Sequence, residues 1–445
     1  MYKISPINSK EIARIVKGVH YGEASDIEYI SIDTREKFNI NTVYIAIKGK
    51  LYDGNDFINE AISKGCSLII SSVDIKSKIP YIKVENTIHA LGSLSKYLSK
   101  NIRKIGITGS VGKTTVKEMI YLVLKEKYNA SKTEKNENNE IGVPLTLLNS
   151  INNDICIVEM GMRGLNEIDY LSFLCEPEIS VITNIGTAHL EKLKTIENIF
   201  KAKTEIIPNT KSIAIVPYDK RFLSYNYGEI KPIFIGKDVA SKNIRYGNFG
   251  IEFDADCFGE IIKGFKLNTF NESYINNALI AICVGKIYLI PNYSILKAIN
   301  SYACENMHGE IIKINGISVI LDCYNASYES TKEALFSLKR YAEQNNKSPY
   351  LLIGDMLEIG EKTNEFHYRI GELAKDLCIK NIYATGNMTE NTLDGFLGGT
   401  FFSDKREIAK EIIKDLNEND VILVKGSRKM KLEQIVEYMK EMQNV

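Results

Sequence analysis

A glycine-rich segment at residues 106–115, GITGSVGKTT, constrains the fold more than any other part of the chain. It follows a strand-like run at 103–107 and precedes a helix-like run at 113–127. Glycine lets backbone N–H groups approach a bound phosphate, and the N-terminus of the following helix adds partial positive charge. The general pattern has glycine where Ile107 stands, but strand, loop and helix occur in the required order. The segment predicts an α/β domain that binds ATP or GTP, and it leaves the reaction open between kinase, motor and signalling switch.

The same segment supplies the candidate nucleotide-binding residues. Lys113 can reach the terminal phosphates, and the Thr114 hydroxyl can bind Mg²⁺. The predicted cofactor-binding residues of the loop are Thr108, Gly109, Ser110, Val111, Gly112, Lys113, Thr114 and Thr115. An ordinary glycine-rich turn is the alternative, but glycine, lysine and two hydroxyls coincide here at the end of a strand.

Strand-like runs alternate with helix-like runs along most of the 445 residues, which favours α/β architecture with mostly parallel sheets. We predict three domains, at 1–100, 101–306 and 307–445, with the phosphate loop in the central domain and a Rossmann-like α/β fold in the last. The predicted strands are 43–47, 67–70, 81–84, 103–107, 155–159, 179–183, 212–216, 317–322, 350–353, 381–384 and 421–424. The predicted helices include 56–64, 87–98, 113–127 and a helix-rich stretch at 274–302.

Charge and cysteine usage exclude several classes of protein. Lys plus Arg and Asp plus Glu are both 56, so the overall basic character of nucleic-acid-binding proteins is missing. The N-terminus, MYKISPINSK, lacks the apolar core of a signal peptide, and no apolar run reaches the roughly 20 residues of a membrane-spanning helix. The eight cysteines are scattered without a C-x-x-C pair, which fits reduced, buried thiols. We therefore expect a cytoplasmic protein without membrane insertion, and a monomer.

Two further strand ends carry metal-binding residue types. Residues 155–159, ICIVE, end in Glu159, and the turn after 181–183 carries His189. The carboxyl ends of parallel strands share one edge of a sheet, which is also where the phosphate loop lies. Alone, Glu159 is an ordinary carboxylate and His189 a solvated or capping histidine. Together with the loop, they predict oxygen and imidazole ligands for a divalent metal at the nucleotide.

These segments and others resemble the Mur ligases, the ATP-dependent amino-acid-adding enzymes of peptidoglycan synthesis, and most of all the members that add D-alanyl-D-alanine. The resemblance covers nearly the full length. The matching segments are SIDTR (31–35), VYIAIKG (43–49), DGNDF (53–57), TGSVGKTT (108–115), NENNEIGVP (136–144), EMG (159–161), TNIGTAHLE (183–191), AKTEI (202–206), DCYNA (322–326), LIGDMLEIG (352–360) and KGSR (425–428). The resemblance implies an N-terminal UDP-sugar domain, a central ATPase and a C-terminal domain that binds the amino substrate.

The resemblance also implies the reaction. ATP would phosphorylate the carboxylate of UDP-N-acetylmuramoyl-tripeptide, and the amine of D-alanyl-D-alanine would attack the acyl phosphate. The implied catalytic residues are Lys113, Glu159, His189 and Lys203, with Mg²⁺ bound by Thr114, Glu159 and His189 and Lys203 carbamylated to bind a second Mg²⁺. Asn277 would contact adenine and Asp322 the ribose. The implied substrate-binding residues are Thr34, Arg35, Asn136, Asn138, Asn139, Asn325 and Arg428, the last pairing with a substrate carboxylate. Each has a plainer alternative: an exposed helical lysine for Lys203, turn asparagines for 136–139, and a surface arginine for Arg428.

Several positions depart from the family pattern. The usual His-Asn before the helix at Asn277 reads Ser273-Tyr274, and His308 stands where an arginine is expected at a hinge near 302–310. The usual Y-N-A-N-P reads 324–328 YNASY, G-E-I reads 166–168 NEI, and K-G-S-R-G ends in Lys429. These departures leave open a Mur-like ligase with another amino substrate. A non-catalytic nucleotide-binding module and a phosphate-loop kinase are the alternatives from other classes.

Overall fold

The computed structural model describes residues 1–49, 52–76, 79–248, 250–303 and 307–443. The strands of these residues form three sheets, of six, nine and six strands, in chain order. Most neighbouring strands are parallel, so the predicted α/β class is confirmed. The predicted boundary between residues 306 and 307 and part of the predicted hinge fall on residues 304–306, outside the described residues.

The first sheet has strand order β1-β3-β4-β5-β6-β2, with β3 to β6 parallel and the two outer strands antiparallel to their neighbours. Its elements are β1 (Tyr2–Asn8), α1 (Ser9–Ile15), β2 (Val19–Tyr21), β3 (Asp26–Ser31), β4 (Thr42–Ile45), a 3₁₀ turn (Gly54–Phe57), α2 (Ile58–Ser63), β5 (Leu68–Ser71), β6 (Tyr81–Lys83) and α3 (Thr87–Leu98). Strands β4 and β5 are buried along their whole length, as expected for parallel strands covered on both faces.

The second sheet has strand order β15-β14-β13-β12-β11-β10-β7-β9-β8. Its elements are β7 (Arg103–Thr108), α4 (Lys113–Leu124), β8 (Ala130–Lys132), α5 (Gly142–Asn149), β9 (Ile155–Glu159), α6 (Glu167–Cys175), β10 (Ile179–Ile182), α7 (Leu190–Leu193), α8 (Ile196–Thr204), β11 (Ile213–Pro217), α9 (Lys220–Leu223), β12 (Lys231–Ile235), β13 (Val239–Gly247), β14 (Gly250–Cys257), β15 (Glu260–Leu267), α10 (Ser273–Ile287) and α11 (Asn292–Asn300). Because β7 pairs in parallel with both β9 and β10, the phosphate loop, Glu159 and the segment before His189 share one sheet edge.

The third sheet has strand order β16-β17-β21-β18-β19-β20, parallel except for the hairpin of β16 and β17. Its elements are β16 (Glu310–Ile314), β17 (Ile317–Asp322), α12 (Tyr328–Gln344), β18 (Ser348–Ile353), a 3₁₀ turn (Gly360–Lys362), α13 (Thr363–Asp376), β19 (Ile382–Ala384), α14 (Glu390–Phe396), β20 (Thr400–Phe401), α15 (Lys405–Asp415), β21 (Asp420–Lys425), a 3₁₀ turn (Arg428–Met430) and α16 (Glu433–Gln443).

One hydrophobic core joins the second and third sheets. It contains Phe270 from the central part and Leu335 and Tyr341 from α12, and the rings of Phe270 and Tyr341 meet edge to face with centroids 5.3 Å apart. At the N-terminal end of α12, the Glu329 carboxylate accepts hydrogen bonds from the main-chain N–H and the hydroxyl of Thr187, at 3.0 and 2.6 Å. Helix α12 therefore fixes the C-terminal part against the turn that carries His189.

The sequence predicted most of the buried parallel strands within one or two residues. The predicted helix-rich stretch at 274–302 is confirmed as two helices, whereas the predicted helix at 56–64 begins as a 3₁₀ turn. Strands β13 to β15 form an antiparallel extension that was not predicted. Four successive residues of β13 are exposed, so the strand shows no alternation of apolar and polar residues.

Within the described ranges, no helix is both long enough and apolar enough to cross a bilayer. Six of the cysteines, at 66, 156, 175, 257, 283 and 323, are buried free thiols, and Cys378 is an exposed one. Cys304 lies outside the described residues.

His367 on α13 predicts a pH dependence of stability. The side chain is fully buried; its Nε2 accepts a hydrogen bond from the Met356 N–H at 3.1 Å, and its Nδ1 lies 2.9 Å from the Thr392 hydroxyl. Burial lowers its pKa from 6.5 to about 4, so between these values the unfolded chain binds more protons and stability falls as the pH falls. We expect this residue to cost about 3 kcal/mol of unfolding free energy between pH 7 and pH 4. Denaturant unfolding of wild type and His367→Gln at both pH values measures it, and an equal acid loss in the variant would contradict the assignment.

Candidate active site

The phosphate loop is fixed by two glycines with positive φ. Gly109 has φ 150° and Gly112 has φ 82°, the latter directly before α4. A Cβ atom on Gly109 would lie 1.9 Å from Oγ1 of Thr183, and one on Gly112 would lie 2.9 Å from Oδ1 of Asn277. The loop therefore lies directly against the end of β10 and the first turns of α10.

Gly109→Ala is expected to destabilise the fold by about 2–4 kcal/mol, because the unfavourable φ and the contact with Thr183 add. Denaturant unfolding checks this. Gly228→Ala is the matched control, since Gly228 also has positive φ but a Cβ there would meet nothing within 4 Å. A Gly109→Ala variant no less stable than this control would contradict the geometry.

Asn184 holds the loop from the neighbouring strand, a role that the sequence did not predict. Its Oδ1 accepts hydrogen bonds from the N–H groups of Ser110 and Val111 at 3.1 and 2.9 Å, and its Nδ2 donates to the Val111 carbonyl at 3.2 Å. The sequence feature that could have indicated this role is the position of Asn184 just after β10, which ends at the same sheet edge as the phosphate loop.

Lys113 and Thr114 begin α4 and point in different directions. The Lys113 ammonium donates to the Gly109 carbonyl at 2.9 Å, and burial lowers its pKa while Glu159 opposes the shift. The Thr114 hydroxyl donates to Oε2 of Glu159 at 3.0 Å. The predicted loop lysine and the predicted metal-binding hydroxyl thus lie beside the predicted carboxylate.

Glu159 is 2% exposed and is held on every side. Besides Thr114, it accepts a hydrogen bond from Nδ2 of Asn138 at Oε1, 2.9 Å away, and its N–H donates to Oγ1 of Thr133 at 2.9 Å. Lys117, one turn after Lys113, has its Nζ 3.5 Å from Oε2. The sequence identified Glu159 and Asn138 but gave Lys117 no role.

His189 directly precedes α7 with φ 66°. Its Nδ1 lies 3.1 Å from Oε2 of Glu358, a residue of the C-terminal part. Burial, followed by the charges of Lys203 and Lys113, lowers the pKa of His189 to about 4, so the ring is neutral near pH 7. Among the described residues, no three His, Cys, Asp or Glu side chains converge as a preformed metal site.

Lys203 is buried completely on α8, which excludes the exposed-helix alternative. Its Nζ has no hydrogen-bond partner among the described residues. Burial, with a further contribution from Lys113, holds the pKa of Lys203 well below its ordinary value. At a given pH the neutral, nucleophilic form of the amine is therefore more populated than it is for an exposed lysine.

A cavity of about 1830 Å³ joins the three parts of the chain. Predicted residues on its wall are Ser110, Val111, Gly112, Lys113, Thr114, Thr115, Asn136, Asn138, Asn139, Glu159, His189, Asn277, Asp322, Asn325 and Arg428. The N-terminal part contributes Lys48, Gly49 and Ile88. Thr34 and Arg35 are not on this wall; the Arg35 guanidinium is exposed and pairs with Asp33 at 2.6 Å.

The C-terminal wall contains two ion pairs. Asp322 Oδ2 lies 3.0 Å from Nζ of Lys425, which is buried and also donates to the Asn325 carbonyl at 2.7 Å. The Arg428 guanidinium donates to Oε1 of Glu433 at 2.7 Å. Asp322 and Arg428 both line the cavity, but each is already paired with a charged residue of the C-terminal part.

A smaller cavity of about 350 Å³ lies beside His189. Its wall comes from both the central and the C-terminal parts: Arg163, His189, Glu191, Lys192, Glu358 and Lys429. Its wall therefore carries charged side chains of both signs next to the candidate metal site.

Comparison with known proteins identifies the family. Residues 107–285 match the Mur ligase middle domain, and residues 309–428 match the family described as Mur ligase, glutamate ligase domain. The UDP-N-acetylmuramoyl-tripeptide–D-alanyl-D-alanine ligase of Bacillus subtilis (strain 168) is 33% identical over 456 residues, covering 96% of this chain and 97% of that protein. The chain belongs to the Mur ligase family.

Solved Mur ligase structures have the same fold. MurF from Acinetobacter baumannii superposes with a TM-score of 0.91 at 25% identity, covering 99% of this chain and 100% of that one. The MurF ligase from Thermotoga maritima in complex with ADP gives 0.85 at 27% identity, covering 94% and 98%. The resemblance inferred from the motifs is confirmed, and this Mur ligase is an ATP-dependent ligase.

Several departures from the Mur ligase pattern preserve local conformation. Asn166, at the usual glycine, has φ 66°, a left-handed conformation that asparagine tolerates better than most residues. Ser327, at the usual asparagine, caps α12 in a capping box with Ser330, and Tyr328 takes the first helical position in place of proline.

Two other departures lie in contact with each other. The Tyr274 hydroxyl donates to the His308 carbonyl at 2.7 Å, and the His308 ring packs on Tyr324 with centroids 4.4 Å apart. Tyr274 and His308 are thus neighbours on the cavity wall.

Proposed function

We propose that this Mur ligase joins D-alanyl-D-alanine to UDP-N-acetylmuramoyl-tripeptide in peptidoglycan precursor synthesis, acting as a monomer in the cytoplasm, where ATP is available. The observation that carries the proposal is the buried Glu159, hydrogen-bonded by the phosphate-loop Thr114 inside a cavity with walls from all three parts of the chain. The full-length similarity to the B. subtilis ligase supports the choice of substrates.

The phosphate loop binds ATP with its γ-phosphate towards Lys113. A carboxylate oxygen of the tripeptide attacks the γ-phosphorus and ADP leaves. The dipeptide nitrogen then attacks the acyl carbon, and phosphate leaves as the amide forms. Negative charge increases on the phosphoryl oxygens, and the Lys113 ammonium stabilises it.

The side chains present fit Mg²⁺. It prefers oxygen ligands, usually one or two carboxylates completed by phosphates and water, which agrees with the absence of a preformed three-residue group among the described residues. Thr114, Glu159 and His189 would hold it, and it would neutralise charge on the transferring phosphate. The neutral His189 ring keeps a nitrogen lone pair for this purpose.

Lys203 is carbamylated in the active enzyme. Its buried amine, which has no hydrogen-bond partner among the described residues, supports this, because burial lowers the pKa of the amine and only the neutral amine can add carbon dioxide. The new carboxylate would provide oxygen ligands for a second Mg²⁺. Unmodified, the lysine would remain a buried amine without a partner.

The substrates approach from opposite walls. Asn136, Asn138 and Asn139 face the cavity and position the tripeptide, while Asn277 and Asp322 contact the nucleotide. D-alanyl-D-alanine enters from the C-terminal side, where Arg428 is the predicted partner of its carboxylate.

Phosphate release tests the function. ATP, UDP-N-acetylmuramoyl-tripeptide and Mg²⁺ are supplied with and without D-alanyl-D-alanine, and product masses are read in parallel. Phosphate release that needs both substrates, with a pentapeptide product, is expected. Consumption that does not depend on the dipeptide would indicate another amine, and ATP binding without any consumption would indicate a nucleotide-binding module.

A further inference from the structure

Lys117 is a buried lysine beside the active site that no motif assigned. It lies on α4, one turn after Lys113, and its side chain is 1% exposed. Its Nζ is 3.5 Å from Oε2 of Glu159, 3.7 Å from Oε1 of Glu118 and 3.2 Å from the carbonyl oxygen of Lys135. One ammonium group thus contacts a helix neighbour, the end of β9 and the loop that leads to the asparagines.

A lysine in this place needs an explanation. A buried ammonium ion loses its hydration, and an apolar side chain of the same length would fill the space without that cost. Glu118 is shared with Lys132, so it is not available to Lys117 alone. The remaining partners of Lys117 are Glu159, which lies on the cavity wall, and Lys135, which directly precedes the wall residue Asn136.

The contacts around Glu159 show what the ammonium does. Thr114 and Lys117 both approach Oε2, whereas Asn138 donates to Oε1. The carboxylate is therefore held in one rotation about its last bond. Through the Lys135 carbonyl, the same ammonium also fixes the start of the 136–139 loop relative to α4.

We propose that Lys117 is a positioning residue that orients the Glu159 carboxylate for a divalent cation and ties the asparagine loop to the phosphate loop. Its side chain is not part of the wall of either cavity. The inference rests on the proposed function for the identity of the cation and of the loop's substrate, and it adds a residue to that site. Removing the ammonium should weaken the response to Mg²⁺ while leaving the phosphate loop unchanged.

The test measures ADP affinity by calorimetry, in EDTA and in Mg²⁺, for wild type and Lys117→Met. In EDTA the affinities are expected to be equal, because Lys117 contacts none of the loop N–H groups. The gain in ADP affinity on adding Mg²⁺ is expected to fall about 10- to 100-fold, the usual effect of removing a partner of a metal ligand. The KM for UDP-N-acetylmuramoyl-tripeptide should rise with it.

Lys125→Met is the matched control, an exposed lysine at the end of the same helix. Lys117→Arg keeps a cation and should retain more of the Mg²⁺ effect than Lys117→Met. Equal losses of affinity in EDTA and in Mg²⁺ would reveal a purely structural lysine and overturn the proposal. The proposal would also be overturned if Lys117→Met gained as much ADP affinity from Mg²⁺ as the wild type, or if the wild type gained none. An unchanged KM for UDP-N-acetylmuramoyl-tripeptide would contradict the proposed link between Lys117 and the asparagine loop.

The ADP affinities measured in EDTA and in Mg²⁺ test the role of Lys117 independently of the proposed function. A wild-type protein that binds ADP with Mg²⁺ but forms no amide would refute the function, and the comparison of Mg²⁺ effects would still decide the role of Lys117.

Discussion

Lys113→Ala should lower kcat by about 10³-fold. Lys113 is the only lysine of the phosphate loop, and its ammonium group acts where negative charge develops in the transition state. Among the described residues its ammonium donates one hydrogen bond, to the Gly109 carbonyl, and burial already disfavours its charged form. The thermal midpoint should therefore change little. Steady-state phosphate release and circular dichroism melting measure the two effects together.

The control for this variant is Lys125→Ala, which removes an exposed lysine from the other end of α4. Near-normal turnover of Lys113→Ala would withdraw the assignment of the phosphate loop. A large fall in the melting temperature would instead mean that Lys113 has a structural contribution that its contacts do not show.

The second large effect concerns Lys203. Lys203→Met should lower kcat by about 10²-fold or more, the upper end of what loss of a metal-holding group costs. Stability should not decrease, since a buried amine without a partner is replaced by an apolar side chain. Turnover and denaturant unfolding are measured with Lys201→Met, an exposed lysine of the same helix, as the control.

Carbon dioxide separates carbamylation from a plain structural role for Lys203. Activity of the wild type should fall in buffer freed of carbon dioxide and return with bicarbonate, and Lys203→Met should respond to neither. Burial lowers the pKa of the amine, so the reactive neutral form persists below the pH at which an exposed lysine is protonated. Wild-type activity that is insensitive to carbon dioxide removal would count against the carbamate.

The fold could be predicted where burial leaves a clear pattern. The strands at 155–159 and 179–182 are buried along their whole length and mostly apolar, because both faces of a parallel sheet are covered. Strands β2 and β13 could not be predicted, since β2 has no buried residue and β13 is largely exposed. These segments form strands because they pair with neighbouring strands, and the sequence of the segment alone does not show that pairing.

The site could be predicted where it is local. The phosphate loop is one continuous segment, so its glycines, Lys113 and Thr114 follow from the sequence alone. The contact of Glu358 with His189 and that of Glu329 with Thr187 join positions more than 140 residues apart and depend on how the C-terminal part packs. Arg35 was assigned to substrate binding by resemblance, but in the structure its side chain faces solvent beside Asp33.

Asn166 and Ser327 have a consequence for recognising distant relatives. At both positions the usual residue is replaced by one that performs the same backbone task, a left-handed turn in one case and a helix cap in the other. A search pattern that demands glycine or asparagine there rejects this chain. A pattern written in conformational roles, asking which residues can adopt positive φ or accept a hydrogen bond from the first helical turn, retains it.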